Sequence, residues 1–151
     1  MTVNDMLILV RQRLGDMNKL TFSDAELMYC LNNAMDELCA EMAAAYSPEL
    51  LKELQVTEDS FILPDDFITW QGQYPLNYSL NEQNQTVVTP LGPEWDGENP
   101  TLRYFASKKH LTNMTDEIPF RTLIQQNNLM KKCVEQIRPS GGNNDSQGTS
   151  N

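Results

Sequence analysis

Residues 47–64 read SPELLKELQVTEDSFILP, and the fold class turns on where helical spacing stops in that stretch. Ser47 stands at a capping position and Pro48 at the first helical position, where its missing N–H is not needed. The spacing therefore predicts a short helix over 48–54. "SFILP" is an apolar run closed by proline and too short for a helix of its own. On the N-terminal side of this stretch the apolar residues recur with helical period. On the C-terminal side they alternate.

Upstream, residues 24–46 carry the clearest helix signal. Ser23 is the N-cap, Glu26 its reciprocal partner three residues on, and Phe22 and Leu27 are spaced as a hydrophobic staple. Leu27, Leu31, Ala34, Met35, Leu38, Met42 and Ala45 follow one face, whereas Asp36, Glu37 and Glu41 fall on the other. Residues 2–14 form a first helix capped by Thr2. Its stripe is Val3, Leu7, Val10 and Leu14, and Ile8 and Leu9 widen the apolar surface. Arg11 and Arg13 suit the negative pole of the helix dipole. A last helix is expected over 119–137, with Phe120, Leu123, Met130, Val134 and Ile137 on one face. Asn127 sits within that stripe, either as an exposed polar residue or as a buried amide that fixes register against a neighbouring helix or subunit.

Downstream, "YPLNYSL" and "TVVTPL" are β-rich runs separated by the polar "NEQNQ", a hairpin with a longer loop. "GPEWDGENP" is turn chemistry, and "TLRYFA" is a further strand. Trp70 and Trp95 lie in or beside this region, as core anchors or as interface anchors. The expected architecture is mainly α (α+β). It comprises an N-terminal helical hairpin packed with a C-terminal helix, and a small antiparallel β insertion at about 56–106, all in one domain over 1–138. Residues 139–151 lack apolar side chains and cannot offset their own ordering entropy, so they read as a polar C-terminal arm. Pro139, Ser140, Gly141, Gly142, Asn143 and Asn144 of that arm are candidate contacts to a partner.

The 151 residues carry a net charge of −10 with a pI near 4.4. Eleven acids against Lys52 alone between residues 23 and 66 account for all of it. Such a chain does not wrap nucleic acid, which is bound through Lys and Arg. The two basic clusters, Lys108-Lys109-His110 and Lys131-Lys132, lack interleaved aromatics. Cys30, Cys39 and Cys133 have neither metal-site nor disulfide-framework spacing and read as small buried hydrophobes. One histidine, no phosphate loop and no nucleophile elbow leave no catalytic, cofactor or metal residue to name. Asp65 and Asp66 in "LPDDF" read as turn residues. No apolar run is long enough to span a membrane, and the composition fits a reducing, cytosolic setting.

Taken in order, the helix ending "RQRLGD", the entry "FSDAELMYCLNNAMDELC", then "FILPDDFI" and the opening "IPFRTLI" resemble tailed-phage head-to-tail adaptor proteins, also called connector or head-completion proteins. The resemblance runs over about residues 2–138. It implies a structural virion protein of the neck, assembled in the host cytoplasm as a homo-oligomeric ring, usually dodecameric. Such a ring sits beneath the portal protein, offers tail or nozzle proteins a docking surface and extends the channel through which DNA passes. On that basis Asp36, Glu37 and Glu41 are candidate channel-facing acids that repel phosphate, the alternative being an ordinary solvated face. One branch of the family is linked to cell-wall hydrolysis, and no residue here is assignable to that activity. The competing expectation is a soluble acidic interaction or chaperone module that binds a protein partner through its helices.

Overall fold

The structure is a computed structural model that describes residues 1–91 and 100–138. The chain divides into two compact units: Met1–Leu38 together with the chain from Lys108 onward, and Cys39–Ser107.

The first, helical unit contains α1 (Val3–Leu14), most of α2 (Asp24–Ala44) and α3 (Leu123–Ile137). Thr2 caps α1 reciprocally with Asp5, and Gly15 closes it in the left-handed conformation, at φ 71°, that glycine adopts without a Cβ penalty. Ser23 and Glu26 form the capping box expected for α2, with N···O distances of 3.0 and 3.1 Å. Leu27, Leu31, Ala34, Met35 and Leu38 are buried as the α2 stripe requires. α1 packs on α3, and the segment between Lys108 and Thr122 runs back to α1. There Val3 N–H donates to Asp116 O and Asn4 N–H to Met114 O, both at 2.9 Å. Asn32 ties the same segment to α2: its amide donates to Leu111 O at 2.9 Å and accepts from Leu111 N–H at 2.8 Å.

The second, sheet unit holds the end of α2 and, among the described residues, a 3-10 turn (Pro48–Leu50) and six strands: β1 (Leu51–Gln55), β2 (Phe61–Ile62), β3 (Phe67–Trp70), β4 (Leu76–Leu80), β5 (Thr86–Pro90) and β6 (Thr101–Ala106). They form two antiparallel sheets, in the orders β1-β6-β3 and β2-β5-β4. The β4–β5 hairpin and β6 lie where alternation put them. Asn81 closes the hairpin loop by accepting from the N–H groups of Gln83 and Gln85, each at 2.9 Å.

The expectation of a mainly α chain is overturned. The described residues are 39% helix and 22% strand, an α+β fold, and the β region is no small insertion. The difference lies in the opening stretch. The 48–54 helix stops after one 3-10 turn, and Leu51–Gln55 become β1 against β6, in the register Leu51↔Phe105 to Gln55↔Thr101. Leu50, Leu51 and Leu54 suit a helix face, whereas in a strand Leu51 and Leu54, three apart, fall on opposite faces, so local spacing favours helix over strand. The partner strand some fifty residues on decides between them. The last helix also shifts. It begins at Leu123, capped by Thr122, and buries Leu129, Met130 and Cys133 rather than a face containing Leu123. Phe120 is buried but precedes the helix, so phasing the stripe from it rotates the predicted face.

Candidate functional site

On the helical unit, α1 and α3 leave a groove of about 320 Å³ lined by Met1, Leu9, Leu123, Ile124, Gln126, Asn127 and Met130. Leu123 is 82% exposed and Ile124 74%. Asn127 is exposed at this groove rather than buried as a register-fixing amide within the unit. Leu123 and Ile124 were not singled out as contact residues from sequence. The available signal was their adjacency just after the Thr122 cap, since two consecutive side chains at a helix start diverge by about 100° and cannot share one stripe.

Beneath the surface of the same unit lies an ion network. Arg11 is 3% exposed and donates at 2.8 Å to Asp16 Oδ2, to Phe22 O and to Asp24 Oδ1. Asp16, equally buried, also accepts from the backbone N–H groups of Leu20, Thr21 and Phe22, each at 3.0 Å. Desolvation pushes the Asp16 carboxyl up, but those three N–H donors and the Arg11 charge together hold it below the ordinary carboxylate range. The network folds "GDMNKLT" into a fixed elbow between α1 and α2. Read from sequence, Arg11 was a dipole partner at a helix end; its side chain is instead the hub of the elbow.

The acids Asp36 and Glu37 are exposed and engaged. His110 Nε2 lies 3.0 and 2.9 Å from the two oxygens of Asp36. Glu37 accepts from Gln136 Nε2 at 3.0 Å and lies 3.8 Å from Lys132 Nζ. Glu41 is exposed on the part of α2 that belongs to the sheet unit.

In the sheet unit Trp70 is half-buried at the centre of an aromatic cluster. Its ring meets Phe61, Phe67, Tyr74 and Tyr104 edge-on at centroid distances of 4.7 to 6.3 Å. Its Nε1–H donates to Tyr78 Oη at 2.8 Å. Trp70 on β3 thereby links strands of both sheets, the work of a core anchor. Tyr104 donates to Asp66 Oδ1 at 3.0 Å, and Asp66 also pairs with Lys52. Burial, then the Asp66 hydrogen bond and charge, push the Tyr104 phenol up to about 12. Cys133 is likewise raised to about 12, by burial and then by Cys30 nearby. Trp95 and residues 139–144 lie outside the described residues.

Among the described residues no three His, Cys, Asp or Glu side chains gather where they could hold a metal ion, and no helix is long and apolar enough to cross a membrane. What these surfaces offer is contact: an open apolar groove on one unit, and acidic and aromatic surface on the other. No protein-family model matches the sequence, and a search of curated proteins finds no match.

Proposed function

We propose that the chain is a structural subunit of a phage neck, forming a ring between the portal of a capsid and the tail. The ring extends the DNA channel and gives tail proteins a surface to dock on. The observation that carries the proposal is the α1–α3 groove, with Leu123 and Ile124 standing almost fully in solvent at its rim. Apolar side chains grouped in this way mark a protein contact more often than scattered single ones do. The occupant is a neighbouring copy. The helical unit, summed over its ten acids and nine bases, carries only −1 of the chain's −10, so copies meet there with little repulsion. The order of the four motifs along residues 2–138 supports the same assignment, and the strongly acidic sheet unit suits a wall that DNA slides past.

The test is electron microscopy of the protein mixed with portal. Rings seated on portal are expected, and Leu123→Asp/Ile124→Asp is expected to abolish them while leaving the melting temperature within a degree or two, because neither side chain is in the core. Rings that survive this double change would overturn the role of the groove. A stable one-to-one complex with another protein, without rings, would favour the soluble interaction module instead.

A further inference from the structure

Edge strands invite other strands, and folded proteins guard them with charge, proline, bulges or brevity. Among the described strands three of the four sheet edges are guarded. β1 carries Lys52 and Glu53, β2 has two residues, and the pairing of β3 is irregular between Phe67 and Thr69. β4 has no such device. Its residues, LNYSL, are uncharged, and its pairing with β5 is regular from Leu76↔Pro90 to Leu80↔Thr86.

The backbone parity shows which groups are free. Leu91 N–H donates to Pro75 O at 2.7 Å and Asn81 N–H to Gln85 O at 3.1 Å. The odd-numbered residues of β4 therefore bond to β5. The N–H and C=O groups of Leu76, Tyr78 and Leu80 point the other way, along the open edge. Tyr78 and Leu80 are 51% and 68% exposed, and Trp70 holds the Tyr78 hydroxyl in place.

We infer that β4 pairs with β4 of a second copy, antiparallel about a two-fold axis through Tyr78. The strand is symmetric in residue type, apolar–polar–aromatic–polar–apolar. This register therefore sets Leu76 against Leu80 of the second copy, Tyr78 against Tyr78 and Asn77 against Ser79. Each of the Leu76–Leu80 and Tyr78–Tyr78 pairs exchanges both backbone hydrogen bonds, and the three apolar side chains of each strand line one face of a continuous sheet. A foreign strand would find the same hydrogen bonds but not this self-complementarity. The contact is isologous and closes at two copies, so it is independent of the ring, which needs a heterologous surface. The sheet unit carries −9, from eleven acids against Lys52 and Arg103. Repulsion therefore opposes the pairing, and added salt strengthens it.

Sedimentation of the full chain over a range of concentration and salt tests this, together with amide exchange followed by NMR. A monomer–dimer equilibrium that tightens with salt is expected. In the dimer the amides of Leu76, Tyr78 and Leu80 become protected, while those of Asn77 and Ser79 are protected already in the monomer. Leu80→Lys, at an exposed position, should weaken dimerisation by about tenfold or more, and Leu123→Asp, on the other unit, should leave it unchanged. Three results would each overturn the pairing: a monomer at every concentration and salt, a dimer indifferent to Leu80→Lys, or a dimer without new protection at the three even-numbered amides.

Discussion

Single residues differ in how much of their role the chain order reveals. Ser23 and Glu26 are caps because capping is local: a side chain three residues away is in reach whatever the rest of the chain does. Arg11 is different. Its sequence neighbourhood suggests a cation at a helix end, whereas its guanidinium is buried between Asp16 and Asp24 and bonded to Phe22 O. Replacing it with methionine removes the cation that compensates this pocket and leaves Asp16 buried without it. Arg11→Met is expected to cost about 3–5 kcal/mol, read from the denaturant midpoint. A loss below about 1 kcal/mol would show that water, rather than Arg11, supports the elbow.

At the scale of elements, long periodic segments and short runs of clear β composition were legible, whereas a short run with helical spacing was not. α2 has enough turns for its stripe to be unambiguous, and Ser23→Ala should destabilise the protein by about 1 kcal/mol through loss of its cap, measurable by chemical denaturation. β1 has five residues, and Leu51 and Leu54, three apart, follow the helical period rather than the alternation of a strand. α3 shows the same weakness in phase rather than in type. Its existence followed from the 3.6 period, but its buried face was set by Leu129, Met130 and Cys133 packing within the helical unit. The exposed pair Leu123 and Ile124, on which the proposed ring contact rests, therefore emerged only with the structure.

For the whole molecule, the buried and bonded groups set the pH limits of stability. The carboxyls of Asp5, Asp16, Asp66 and Asp116 all titrate below their ordinary values in the folded state. Their contribution is thus complete above the unfolded carboxylate pKa of about 4 and is lost as pH falls through the depressed folded values. Tyr104 is raised from 10.0 to about 12, so its contribution is present below 10 and lost as pH rises through that interval. Thermal melts should show a plateau near neutral pH with losses at both extremes. Asp16→Asn should lower the plateau and flatten the acid limb, and Tyr104→Phe should flatten the alkaline one. An acid limb unchanged by Asp16→Asn would assign that loss to other carboxyls.

The amino-acid order by itself determined what short range can determine: the three helices among the described residues and the caps of the first two, the β4–β5 hairpin with its loop, the strand Thr101–Ala106 and the large negative charge. Tertiary structure alone decided what depends on partners far along the chain. These are β1 as a strand against β6, Trp70 as the link between two sheets, the burial of Arg11, the phase of α3, and the open edge of β4. The physical reason is the same throughout. Helical bonds and caps close within four residues, whereas a strand, a buried charge or a helix face acquires its identity from whatever the fold lays against it.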